Sequence, residues 1–140
     1  MIKAIRYHDI SCGHRVYGHE NKCKYLHGHN YRIHFHCVGD LDNIGRVIDF
    51  GQIKARLCMW LEDNYDHKFL VWEKDPLSNT KGYDFEHSVV VVPYNPTAEN
   101  IAKYLVEVVA PKQLDGTGIT LEKCIVEETR KCSASYEIKY

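Results

Sequence analysis

Cys23-Lys24-Tyr25-Leu26-His27-Gly28-His29-Asn30-Tyr31-Arg32-Ile33-His34-Phe35-His36-Cys37-Val38 is the stretch whose reading decides the architecture. His29, Tyr31, Ile33, Phe35 and Cys37 fall on one side of an extended chain, and Asn30, Arg32, His34 and His36 on the other. That period of two is the pattern of a strand with one buried and one polar face. The same alternation puts His27 beside His29, and two imidazoles on one face are half of a metal site. Gly28 lets the backbone approach closely there and leaves the space between the two ligands empty. Cys23, four residues before His27, can sit next to the pair.

A strand from about residue 2 towards 16 is the expected partner of a second strand over 26–38. On the first, His14 in Ser11-Cys12-Gly13-His14-Arg15 is the expected third ligand. Three histidines with an open fourth position are a common catalytic zinc set. His34 and His36 have the opposite parity from His29, so one metal cannot use both pairs, and they read as a polar strand face. A closed structural zinc with Cys12 or Cys23 as fourth ligand stays open, because the Cys23-to-His27 spacing permits ligation. Where Cys23 is not a ligand, a bound cation with Lys22 and Lys24 would favour its thiolate, a nucleophile or general base.

Outward from this hairpin, Asp49-Phe50-Gly51-Gln52 reads as a capping box, with Asp49 as N-cap and Gln52 at N3. Phe50, Ile53, Leu57, Trp60 and Leu61 form the stripe of an amphipathic helix ending near Asn64. Residues 73–87 read as a loop and 88–92 as a short apolar strand stopped by Pro93. Thr97 is the expected N-cap of a second helix, with Ile101, Ala102, Leu105 and Val109 facing inward. Two further strands follow, over 119–128 and 133–140. The expected fold class is therefore α+β, a four-stranded antiparallel sheet with both helices on one face. Its open edges suggest association through strands.

The chain has 140 residues, 44% hydrophobic and 26% charged, which is ordinary for one globular domain spanning 1–140. A net charge of −1 gives no electrostatic case for nucleic acid or an anionic membrane. No apolar h-region opens the sequence and no apolar run approaches the ~20 residues of a membrane span. Six cysteines without a Cys-x-x-Cys pair are expected to be free thiols in a reducing cytoplasm. Seven of the nine histidines precede Cys37, a local enrichment that points to a site. Asp66-His67, after the first helix, is a candidate acid–base pair. Glu127-Glu128 closes an apolar strand, where a carboxylate can accept paired N–H donors.

Taken together, His14-Arg15, Cys23-x-x-x-His27-Gly28-His29, Val47-Ile48-Asp49-Phe50, Tyr65-Asp66-His67, Asn95-Pro96-Thr97-Ala98-Glu99-Asn100 and Glu128-Thr129 resemble the 6-pyruvoyltetrahydropterin synthase / 6-carboxytetrahydropterin synthase family. The resemblance implies the tunnelling fold, with subunits assembling into a barrel, a hexamer among the expected forms, and active sites between subunits. It implies zinc on His14, His27 and His29, Cys23 as the proton-abstracting thiolate, and Asp66 with His67 as an acid–base relay. Glu128 would anchor the pterin's guanidine-like edge, with Thr97 and Glu99 also at the substrate. The three-residue gap after Cys23 resembles the bacterial 6-carboxy branch. That branch converts the pterin triphosphate substrate 7,8-dihydroneopterin triphosphate to 6-carboxy-5,6,7,8-tetrahydropterin, acetaldehyde and triphosphate, on the way to queuosine-type 7-deazapurines. The alternatives are a 6-pyruvoyltetrahydropterin synthase, a dihydroneopterin aldolase-like activity, or a non-catalytic zinc-stabilised binding module.

Overall fold

The computed structural model describes residues 1–140. Its strands are β1 (Lys3–His14), β2 (His27–Val38), β3 (Phe69–Trp72), β4 (Val89–Val92), β5 (Thr120–Glu127) and β6 (Ser133–Glu137). Helix α1 covers residues 50–64, with a π turn at Lys54–Cys58. Helix α2 is Tyr83–Ser88, and α3 covers residues 98–113 with a π turn at Leu105–Val109. Two of the expected caps form: Asp49 accepts from Gly51 N at 3.1 Å, and Thr97 Oγ1 from Asn100 N at 3.1 Å. The capping box does not close, because the Gln52 carboxamide accepts from Arg56 Nε instead, at 3.1 Å.

The expected sheet of four antiparallel strands is corrected to a mixed sheet of six, in the order β4-β3-β1-β2-β5-β6. The pairs β1–β2, β2–β5 and β5–β6 are antiparallel, whereas β3 joins β1, and β4 joins β3, in parallel. Phe69-Leu70-Val71-Trp72 was legible only as a short apolar run, the signature of a strand covered on both faces, which periodicity cannot assign. Glycine permits its docking: a Cβ on Gly13 would stand 2.5 Å from the Phe69 ring.

One core of 26 buried residues joins the inward faces of β1, β2 and β5 to α1 and α3. Both long helices therefore lie on the same side of the sheet. Tyr31, Ile33, Phe35 and Cys37 are buried there, as their alternation requires. The other face is polar and open. Across it Arg32 forks onto Asp9 at 2.9 and 3.1 Å, and His34 Nε2 meets Glu127 Oε2 at 2.6 Å. The His34 and His36 pair is thus the polar strand face expected of it.

β1 ends at His14, two residues short of the expected boundary, and residues 15–26 leave the sheet. The segment 73–87 is anchored rather than simply a loop. Asp75, 1% exposed, accepts from Leu77 N at 2.8 Å to cap a 3₁₀ turn at Pro76–Asn79. Both its oxygens also take the Arg15 guanidinium, Nε at 2.7 Å and Nη2 alongside. Removing one partner of a fully buried pair costs about 3–5 kcal/mol. Arg15 keeps a quarter of its side chain in water, so Asp75→Ala is expected to cost on the order of 2 kcal/mol in denaturant unfolding. Arg15 and the Leu77 amide hold the Asp75 carboxyl below its usual range against the opposing effect of burial. This stabilisation is present above the unfolded carboxylate value and is lost as pH falls through the lower folded one. The parent should therefore lose part of its advantage over Asp75→Ala below about pH 4. An unchanged difference at acid pH would remove the ion pair from the account.

Candidate metal centre and acid–base pair

The register of β1 and β2 builds the centre. Twelve consecutive pairs run from Lys3↔Val38 to His14↔His27, with Cys12 opposite His29. His14, His27 and His29 therefore share the helix-facing side at one end of the sheet. Their rings stand 4.6, 5.2 and 4.9 Å apart, centre to centre. Of the two roles expected of Gly28, close backbone approach holds: its Cβ would stand 3.3 Å from the Cys12 carbonyl. That Cβ would point to the opposite face, so the glycine does not clear the space between the ligands.

Two backbone carbonyls set the ring tautomers. His14 Nδ1 donates to Pro96 O at 2.6 Å, and His27 Nδ1 donates to Tyr25 O at 2.7 Å. A carbonyl can only accept, so in both rings Nδ1 carries the proton and Nε2 offers its lone pair to the cluster. Burial lowers the His29 imidazole below its usual value, favouring the neutral form that a metal ligand needs.

Glu128 completes the group. The chain turns sharply after β5, with Glu128 N and Thr129 N both donating to Cys132 O. By the alternation of β5, Glu127 lies on the open face with His34 and Glu128 on the side of the histidines. Its Oε1 lies 3.1 Å from His14 Nε2 and 2.8 Å from His29 Nε2. One ligand atom from each of His14, His27, His29 and Glu128 lies within 4.8 Å of the others. His14 Nε2 and His29 Nε2 are buried and have no hydrogen-bond partner apart from the Glu128 carboxylate that both face. Three imidazoles and a carboxylate with orphaned, converging nitrogens fit a divalent metal such as zinc.

Cys23 sits in a turn at Lys22–Lys24, half-buried, its carbonyl accepting from Val16 N at 2.7 Å. It is not one of the four grouped residues. Nor is Cys12, whose buried Sγ lies 3.6 Å from the Gly13 carbonyl and whose thiol burial pushes up to about 12. Lys22 and Lys24 flank Cys23 on the surface. Thr97 is spent as the cap of α3, and Glu99 in the next turn is exposed and outside the cluster.

Asp66 and His67 form a pair on the other side of the sheet. Asp66 Oδ1 accepts from Ser11 N at 2.9 Å and Oδ2 from His67 Nδ1 at 2.8 Å. His67 is the one non-glycine residue with positive φ, 59°, fixed by its N–H donating to Ser11 O at 2.7 Å. Left-handed backbone at a non-glycine position is costly and recurs at functional sites. Asp66 and His67 open onto a cavity of about 640 Å³ shared with Asp9, Ser11, Asn30 and Arg32. One chain therefore brings the metal ligands together but sets the acid–base pair on the opposite face.

The two carbonyls that orient the imidazoles were missed by sequence reasoning, since backbone acceptors leave no residue signature. The approach of Glu128 to the histidines was missed too, although Glu-Glu at a strand end was visible.

Known proteins share the sequence pattern and the fold. The sequence profile described as 6-pyruvoyl tetrahydropterin synthase matches residues 4–139. A 6-carboxy-5,6,7,8-tetrahydropterin synthase of Rickettsia felis is 35% identical over 137 residues, covering 94% of this chain and 97% of its own. Among solved structures, an uncharacterized protein of Wolinella succinogenes superposes with a TM-score of 0.85 at 22% identity, over 99% of this chain and 98% of that one. The 6-pyruvoyl tetrahydropterin synthase of Caenorhabditis elegans superposes with a TM-score of 0.69 at 24% identity, over 99% and 96%. With a converging histidine cluster on a matching fold and a profile spanning nearly its whole length, the chain belongs to the 6-pyruvoyl tetrahydropterin synthase family.

Proposed function

We propose that the chain is a zinc-dependent carbon–carbon lyase. With one water consumed, it converts 7,8-dihydroneopterin triphosphate to 6-carboxy-5,6,7,8-tetrahydropterin, acetaldehyde and triphosphate. The observation that carries this reading is the convergence of His14, His27 and His29, two with Nε2 atoms that are buried and unpartnered, near the turn of a free Cys23. The three-residue gap between Cys23 and His27, with 6-carboxy synthases among the relatives, favours this branch over the pyruvoyl one.

Held by His14, His27 and His29, zinc would supply a Lewis acid for the oxygens of the substrate side chain. Cys23, as thiolate, takes a proton from the side-chain carbon. His67 moves a proton on the other side of the substrate, with Asp66 holding its Nδ1–H and hence its tautomer. Glu128 accepts the paired N–H donors of the pterin's guanidine-like edge, and Thr97 and Glu99 border the same substrate. Because Asp66–His67 and the cluster lie on opposite faces, the pair would serve the metal side of a second copy. Subunits would then meet through the free edges of β4 and β6, as a barrel-forming homo-oligomer, here a hexamer. The chain would act as one domain in the cytoplasm, in queuosine-type 7-deazapurine synthesis. No helix is long and apolar enough to cross a membrane.

Product analysis tests the proposal. The zinc-loaded protein given 7,8-dihydroneopterin triphosphate is expected to release acetaldehyde and the 6-carboxy pterin in equal amounts. A 6-pyruvoyl product without acetaldehyde would move the chain to the other branch. No conversion at all would favour the non-catalytic module.

A further inference from the structure

We propose that Asn95 is a positioning residue of the metal centre, acting on His14 through the carbonyl of Pro96. The inference rests on the metal reading of the histidine cluster and not on the substrate.

His14 is held at one point by the protein backbone, the 2.6 Å bond from Nδ1 to Pro96 O. The aim of its Nε2 is therefore only as firm as the placement of that carbonyl. That carbonyl shares its peptide with the Thr97 N–H, which donates to Asn95 O at 2.7 Å, so its placement depends on where Asn95 is held. Asn95 Oδ1 accepts from Tyr17 N at 3.2 Å, and its Nδ2 donates to Tyr17 O at 3.0 Å. One planar carboxamide thus binds both backbone groups of a single residue, as a neighbouring strand would. Among residues of this length only asparagine presents a donor and an acceptor side by side. The Asn95 carbonyl takes two more donors, Thr97 N at 2.7 Å and Asn100 Nδ2 at 3.0 Å. The 95–97 segment that carries the Pro96 carbonyl is fastened on one side to the start of α3 and on the other to Tyr17. Tyr17 lies three residues beyond His14, so the clamp closes a ring through His14, Tyr17, Asn95 and Pro96.

Partners that orient metal-binding histidines typically affect metal affinity by about 10–100-fold. Asn95→Ala is expected to weaken zinc binding by about tenfold or more in competition with a chromophoric chelator. In the metal-free protein, nitrogen-resolved NMR is expected to show His14 as a single Nδ1–H tautomer in the parent and as a mixture in Asn95→Ala. Asp42→Ala serves as the stability control, since it removes the bonds that Asp42 accepts from the Ile44 and Arg46 amides and from Arg46 Nε, in a turn remote from the cluster. It is expected to keep parental zinc affinity. Should Asn95→Ala fail to fold, Asn95→Asp gives the same readings, retaining the acceptor for Tyr17 N but losing the donor to Tyr17 O. Zinc affinity within about twofold of the parent, with the single His14 tautomer intact, would overturn the inference. A parent that binds zinc but releases no acetaldehyde would defeat the proposed reaction and leave both Asn95 readings standing.

Discussion

Cys23→Ala is expected to retain zinc while turnover falls by about a thousandfold, the middle of the range for loss of a general base. The retention follows from position. Four side chains converge on the candidate metal position, and Cys23 is not among them. The turn that carries it is held by backbone bonds, Val16 N to Cys23 O and Tyr25 N to Lys22 O, which alanine leaves intact. Tyr25 O then still orients His27. The loss of turnover follows from chemistry, since alanine has no proton acceptor. The two quantities are read separately, zinc by elemental analysis after desalting and turnover by acetaldehyde release. Zinc lost together with the thiol would instate the closed structural site that the Cys23-to-His27 spacing permits.

His27→Ala is expected to lose the metal and stay folded. Zinc content should drop from about one per chain to under about a tenth, because Glu128 is assigned to the substrate and His14 with His29 alone fall short of the three protein ligands of a catalytic zinc. The fold should persist because 26 buried residues form the core and His27 is not one of them. The thermal midpoint should move only by what metal binding contributes through mass action on the folded state. Zinc content and a thermal melt with and without chelator check both halves. Unchanged zinc would remove His27 from the ligand set. Unfolding would mean that the cluster, rather than the core, holds the sheet end together.

Much of the hairpin was legible because period two is a local property. Alternation over residues 29–37 sorted buried from polar side chains, and it separated His29 from the His34 and His36 face. The caps Asp49 and Thr97 were legible for the same reason, since a capping bond spans two or three residues. Gln52 shows the limit, its carboxamide turning to Arg56 one helical turn on rather than back to the cap. β3 escaped where β4 did not, because Phe69-Leu70-Val71-Trp72 lacks the run of β-branched valines and the closing Pro93 that marked 88–92. Asp75 escaped because a polar residue in a polar stretch looks solvated until Arg15, sixty positions earlier, is seen to reach it.

By itself, the sequence determined the ligand types, their parity and the family, since spacing and alternation survive in one dimension. Only the tertiary structure decided which groups meet. Register placed His14 across from His27, strand pairing brought Glu128 to 3.1 Å from His14, and Asn95 linked Tyr17 to the carbonyl that holds His14. It also set Asp66 and His67 on the far side of the sheet from the cluster of the same chain. The physical reason is the same in each case. A strand residue's face follows from its own neighbours, but its contacts depend on which strands pair and in what register, and burial of the whole core settles that.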